Sequence, residues 1–88
     1  MPTYQLDIKR SFEKDLRRLP DHVVRRVYKK LDELVENPFP QGVDKIEGSE
    51  HSYRVRIGDY RIVYAVDDTE KRITLFYVRH RKDVYRSL

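Results

Sequence analysis

Residues 53–66 constrain the fold more than any other stretch of the chain. Tyr53-Arg54-Val55-Arg56-Ile57 alternates bulky apolar and basic side chains without a break, and Tyr60 to Val66 follows as a second apolar-rich run. Period two is the signature of a strand with one buried face. Gly58-Asp59 between the runs is the one short hairpin signal in the chain. A polar turn from Asp67 to Lys71 then leads into Arg72 to Arg79, rich in Ile, Leu, Phe, Tyr and Val. The C-terminal half is therefore predicted to be a three-stranded antiparallel meander.

The N-terminal half reads differently. Thr3 to Lys9 alternates, with Tyr4, Leu6 and Ile8 on one side and Gln5 and Asp7 on the other, which predicts a strand. Ser11 is placed to cap a helix carrying Phe12, Leu16 and Leu19 on one stripe. Pro20 interrupts it, and Asp21 is the expected cap of a second helix. Val24, Val27, Tyr28, Leu31, Leu34 and Val35 recur along that helix at helical spacing. Asn37-Pro38 ends it, because the residue before proline is pushed out of the α region. Residues 37–52, with Pro38, Pro40, Gly42 and Gly48, read as a loop. The expectation is an α+β fold in the order β-α-α-β-β-β, with the helical hairpin packed on one face of an antiparallel sheet and the other face open. At 88 residues there is room for one core, so residues 1–88 are expected to be a single domain.

Several function classes drop out. The chain has no cysteine, which excludes disulfides and thiolate metal sites. No His and carboxylate spacing supplies a metal, and there is no Gly-rich phosphate loop, serine nucleophile motif or carboxylate pair. No metal or cofactor is expected. Met1 to Arg10 carries Asp7, Lys9 and Arg10 and lacks the apolar core of a signal peptide. No apolar run approaches the ~20 residues of a membrane helix. The cytoplasm is the expected location.

The net charge of +4 is unevenly placed. Residues 1–52 hold ten Lys/Arg and ten Asp/Glu, whereas residues 53–88 hold nine Lys/Arg and five Asp/Glu. Asp67, Asp68 and Glu70 share one turn, so the strands themselves carry a basic surface suited to phosphate polyanions. Arg54 and Arg56 share the face opposite Tyr53, Val55 and Ile57, and a tight hairpin brings Arg61 near Arg56. Like charges facing one another destabilise a sheet, so such a cluster suggests an anionic ligand. A solvated strand face is the alternative. Farther on, Arg79-His80-Arg81-Lys82 and then Tyr85 and Arg86 combine phosphate holders with an aromatic ring that can stack a base. A solvated basic tail is again the alternative. His80 has the chemistry of an acid or base near neutrality or of an ordinary surface residue. Nothing converges on His22 or His51.

Tyr53-Arg-Val-Arg-Ile-Gly-Asp-Tyr-Arg-Ile-Val-Tyr64 resembles the central hairpin of RelE-like toxins, and Val78-Arg-His-Arg-Lys-Asp-Val-Tyr85 resembles their C-terminal motif. Lys14-Asp-Leu-Arg-Arg-Leu-Pro20, Leu34-Val-Glu-Asn-Pro38 and Lys45-Ile-Glu-Gly48 are similar to the same family, in the same order. The resemblance covers nearly the whole chain and is to the RelE/ParE toxin superfamily, RelE branch. It implies the toxin of a type II toxin–antitoxin system, paired with a RelB-like, acidic, partly disordered antitoxin. It implies a ribosome-dependent endoribonuclease, cleaving mRNA in the ribosomal A site by attack of the ribose 2′-hydroxyl on the phosphodiester without metal. It also implies roles for Arg54, Arg56, Arg61, Arg81 and Tyr85 in catalysis. Arg61 and Arg81 would hold and stabilise the phosphate, and Tyr85 would orient the base. Arg79, Lys82 and Arg86 are the expected RNA contacts. Arg54 and Arg56 stand where RelE has lysines. Arginine stays protonated in proteins, so these two residues can bind charge but are poor bases. His80 or Tyr85 would serve as the base, or there is no dedicated one. The alternatives are a ParE-like inhibitor of DNA gyrase, which shares the fold, and a non-catalytic module that only binds its antitoxin.

Overall fold

The computed structural model describes residues 3–80. Its elements are β1 (Gln5–Ile8), α1 (Arg10–Arg17), α2 (Asp21–Glu36), β2 (Asp44–Lys45), β3 (Ser52–Ile57), β4 (Tyr60–Asp67) and β5 (Arg72–His80). The strands form one five-stranded sheet in the order β1-β5-β4-β3-β2. The predicted strand, helical hairpin and antiparallel meander are all present. Two features go beyond the expectation. A two-residue strand, β2, emerges from the loop and pairs antiparallel with β3. The N-terminal strand joins β5 in parallel, Gln5 opposite Arg72 and Ile8 opposite Leu75, so the sheet is mixed rather than wholly antiparallel. Alternation reports a buried face but carries no information about strand direction.

Both helix caps differ from the sequence reading. The residue before α1 is Lys9, in extended backbone (φ −77°, ψ 155°), and Ser11 lies inside the first turn, where its hydroxyl donates to the Phe76 carbonyl at 2.6 Å. Pro20 caps α2 at φ −60°, ψ 151°, and its carbonyl accepts the amides of Val23 and Val24 at 3.0 Å. Proline has no N–H to leave unsatisfied there. Asp21 becomes the first helical residue, where its carboxylate meets the positive end of the helix dipole. The helix ends at Asn37, extended ahead of Pro38 as expected.

The core lies between the helices and one face of the sheet. Phe12 from α1 and Val23, Val27, Leu31 and Leu34 from α2 pack over Val55, Ile57, Ile62, Tyr64, Val66, Ile73, Leu75 and Val78. The buried stripe of α2 keeps Val27, Leu31 and Leu34 of the predicted one but differs at its edges: Val23 is inside, Val24 and Val35 are half-buried and Tyr28 is 54% exposed. Burying each large aliphatic side chain contributes about 1.5–3 kcal/mol. Tyr64 carries its hydroxyl into this core and donates it to the Pro38 carbonyl at 2.7 Å, which ties the end of α2 to the middle of the sheet. Burial pushes its phenol above the usual range, and neighbouring Tyr53 adds to the rise.

A β-bulge sets the far half of β5. Val63 pairs with Tyr77, but Tyr64 pairs with Leu75, so Phe76 is an extra residue. One added residue reverses which side chains face the core. Ile73 and Leu75 are buried below the bulge and Val78 above it, while Tyr77 and Arg79 turn to the open face. The edge of β5 changes partner at the same place. β1 pairs as far as Leu75, and beyond it α1 takes over: Ser11 satisfies the Phe76 carbonyl, and an Asp15 carboxylate oxygen accepts the Val78 amide at 3.1 Å. Ser11 and Asp15 are four residues apart and so share one helix face. An exposed edge is thereby closed by side chains.

Both hairpin turns of the β3–β4–β5 meander use left-handed backbone. Gly58 has φ 62° in the β3–β4 hairpin, and a Cβ there would sit 2.8 Å from Arg26 Nη1. Lys71 has φ 54° in the β4–β5 turn, which Asp67 organises by accepting the amides of Thr69 and Glu70 at 3.1 and 3.0 Å. The Tyr4 hydroxyl donates to the Asp68 carboxylate, and Lys71 Nζ lies 3.1 Å from the same carboxylate, pinning this turn to the N-terminal strand. The Tyr4 hydroxyl, then the Lys71 ammonium, hold the Asp68 carboxyl below its ordinary value.

Candidate functional site

The site is the open face of the sheet, and strand register assembles it. Arg56 on β3 stands opposite Arg61 on β4, and Arg61 stands opposite Arg79 on β5. Facing residues in antiparallel strands are ~4.5–5.5 Å apart, so three guanidinium-bearing side chains rise within roughly 10 Å. The neighbouring row is Arg54, Val63 and Tyr77. The hairpin alternation supplies Arg54, Arg56 and Arg61. The bulge supplies Arg79 and Tyr77, since unbroken alternation from Ile73 would have put both on the core side.

Each arginine is held differently. Arg56 Nε donates to the Gly58 carbonyl at 2.9 Å, and Arg61 Nη1 to the Tyr60 carbonyl at 3.3 Å. Arg79 Nε lies 3.3 Å from Asp15 Oδ2, and its guanidinium carbon is 4.1 Å from the centre of the Tyr77 ring. Among the described residues, Arg54, Arg56 and Arg61 have no carboxylate within ion-pair distance. At the β3 edge a cleft of about 360 Å³ is lined by Arg54, Arg56 and Arg61 together with Lys30 of α2 and Asp44 of β2. That volume is at the low end of the ~300–1,000 Å³ of small-ligand clefts. Lys30 and Asp15 escape a reading of the sequence because each sits on the polar face of a helix, like any solvated charge.

The structure does not bring His80 into the row. His80 pairs with Tyr60 on the helix side of the sheet, and their rings meet edge to face at 5.5 Å. His22 and His51 are exposed, on α2 and in the loop before β3, and neither is a member of the row. Among the described residues no group of His, Cys, Asp or Glu is arranged to hold a metal, and no helix is long and apolar enough to cross a membrane. Arg81, Lys82, Tyr85 and Arg86 lie outside the described residues.

Comparison with known proteins places this arrangement in a family. The profile for the ParE toxin of the type II toxin–antitoxin system parDE matches residues 6–85. Toxin RelE3 of Methanocaldococcus jannaschii is 35% identical over 81 residues, covering 86% of this chain and 89% of that protein. The chain belongs to the RelE/ParE toxin superfamily, in its RelE-like branch. Toxin RelE of Mycobacterium tuberculosis is 31% identical to this RelE-like chain over 84 residues, covering 94% of it and 87% of the relative. The archaeal RelE–RelB complex of Pyrococcus horikoshii contains a chain that superposes with a TM-score of 0.80 at 34% identity, covering 90% of this chain and 96% of the other. The family profile is described by the ParE name, whereas these relatives carry the RelE name.

Proposed function

We propose that residues 1–88 form a single RelE-like toxin domain acting as a ribosome-dependent endoribonuclease in the cytoplasm. The observation that carries this reading is the row Arg56–Arg61–Arg79, with Arg54 beside it, on the sheet face opposite the helices. RNA phosphodiester cleavage needs little more than this. The 2′-hydroxyl oxygen attacks the adjacent phosphorus, the bond to the 5′-oxygen breaks, and a 2′,3′-cyclic phosphate and a 5′-hydroxyl result. The 2′ proton leaves and the 5′-oxygen gains one. Negative charge accumulates on the non-bridging oxygens in the transition state, where fixed guanidinium donors stabilise it. Holding the 2′-oxygen in line with the scissile bond supplies further acceleration.

Arg54, Arg56 and Arg61 are the phosphate-holding residues of this mechanism, and Arg79 extends the surface along the RNA. Arg81 is assigned to the transferring phosphate and Tyr85 to the substrate base, with Lys82 and Arg86 as outer RNA contacts, all by resemblance to the family. Arginine is a poor base, and His80 faces the other side of the sheet, so positioning and charge stabilisation carry the rate. A RelB-like antitoxin, acidic and ordered on binding, is the expected inhibitor. Its carboxylates would neutralise the same arginines that hold RNA.

The test is induction of the chain in cells followed by mapping of mRNA ends on ribosomes, with Arg61→Ala as control. Cuts confined to codons in the A site, lost in Arg61→Ala, are expected. Intact mRNA accompanied by gyrase-dependent DNA breaks would overturn the proposal in favour of a ParE-like activity.

A further inference from the structure

We propose that Asp15 is a positioning residue that sets Arg79 in the arginine row. The inference rests on the endoribonuclease reading above and concerns how the site is held. A single carboxylate oxygen, Oδ2, accepts the Val78 amide at 3.1 Å and faces Arg79 Nε at 3.3 Å. The Asp15 side chain is 12% exposed and that of Arg79 32%, so the pair is screened less than a surface ion pair. On its other side the Arg79 guanidinium rests over the Tyr77 ring. Carboxylate and ring together fix the side chain of the one row member that comes from β5.

Edge closure alone does not require a charge at this position. Ser11, one helical turn earlier, satisfies the Phe76 carbonyl with a neutral hydroxyl. An asparagine oxygen at position 15 would accept the Val78 amide as well. The charge serves the second contact. A charge-assisted bond to a guanidinium is roughly twice as strong as a neutral one and restricts its direction. It also offsets one of three like charges standing opposite one another across β3, β4 and β5. The bulge at Phe76 turns Arg79 to the open face, and Asp15 then fixes where on that face its head group lies. Through this carboxylate, α1 reaches a site built otherwise from strands and the Lys30 side of α2.

Asp15→Asn separates the two roles, because it keeps an acceptor for Val78 and removes the charge. Single-turnover cleavage on programmed ribosomes would be measured for the wild type, Asp15→Asn, Arg79→Ala and the double variant. Thermal melts of the same proteins would accompany the kinetics. Asp15→Asn is expected to lower the rate at sub-saturating ribosomes by about tenfold, chiefly by raising the ribosome concentration at half-saturation, as loss of an RNA-holding contact does. The double variant is expected to match Arg79→Ala, because Asp15 acts through that side chain. A wild-type rate in Asp15→Asn, or losses that add in full, would overturn the role. A readout without RNA keeps the two readings apart. The Arg79 Nε–H resonance should exchange slowly with water in the wild type and quickly in Asp15→Asn. Equal protection in both proteins removes the positioning role even if RNA is cleaved. An inactive wild type with the expected Nε–H behaviour removes the endonuclease reading instead and leaves the Asp15–Arg79 contact established.

Discussion

Neutralising the middle arginine of the row should make the protein more stable and less active at once. Arg61 faces Arg56 on one side and Arg79 on the other. Like charges directly opposite in a sheet destabilise it, at roughly 0.2–1 kcal/mol per facing pair. Arg61→Gln keeps the length of the side chain and relieves both repulsions. Its cost is small, since the bond lost, Nη1 to the Tyr60 carbonyl at 3.3 Å, is long and partly exposed. A net gain of about 0.5–1.5 kcal/mol follows. In a chain of this size each ~1 kcal/mol raises the thermal midpoint by about 4–8 °C. The gain is electrostatic, so it should shrink at 1 M salt, where the screening length falls to about 3 Å. The assay is urea unfolding of wild type and Arg61→Gln, followed by far-UV circular dichroism at low and high salt. Cleavage should fall by about 10²–10³, the usual cost of removing one donor from developing negative charge. A variant less stable than wild type at low salt, or a difference indifferent to salt, would refute the argument that the row stores repulsion for a ligand to relieve.

Three further outcomes are expected. His80→Ala should lower cleavage by less than about tenfold, below ~1.4 kcal/mol, and the pH–rate profile of the wild type should show no inflection near pH ~6.5 that disappears in the variant. Tyr64→Phe should cost about 0.5–1.5 kcal/mol in chemical unfolding, because the Pro38 carbonyl loses its 2.7 Å partner inside the core. Asp68→Asn should flatten the acid limb of a stability-versus-pH curve. The folded-state pKa of Asp68 is lowered from 3.8, so its contribution is present above that value and is lost as pH falls through the lowered one. An acid limb unchanged in Asp68→Asn would show that the contact with Tyr4 and Lys71 does not contribute.

The hairpin was legible in the sequence because its two constraints agree: alternation in residues 53–57 demands a half-buried strand, and Gly58 permits the turn. The arginine pairing across it follows from that register. The α2 stripe was legible at Val27, Leu31 and Leu34 but not at its first turn, because Val23 and Val24 are both apolar and only packing against the sheet chooses Val23. Ser11 and Asp21 have the composition of helix caps. Ser11 is used instead by a carbonyl 65 residues away, and Pro20 takes the capping position before Asp21. Such long-range partners leave no local signal. Asp15 and Lys30 stayed hidden for the same reason. The parallel pairing of β1 depends on how many strands separate the two ends of the sheet, and no residue within β1 encodes it.

The extra residue in β5 makes the chemistry of this face a matter of counting rather than of composition. Below Phe76 the strand answers to the core; above it the same alternation is read out of phase, and a basic residue that simple parity would bury is delivered to solvent. Ser11 and Asp15 grip the carbonyl of Phe76 and the amide of Val78, on either side of the irregularity, so it is fastened in place rather than free to migrate along the strand. Point substitutions in Ile73 or Leu75 can therefore retune packing without turning Arg79 around. Loss of the single residue at position 76 would do so in one step, converting an outward-facing cation into an inward-facing one while leaving every other letter of the strand intact. Insertion or deletion at that one joint moves a charge between the two faces without changing the identity of any other residue, and it acts as a toggle rather than a dial.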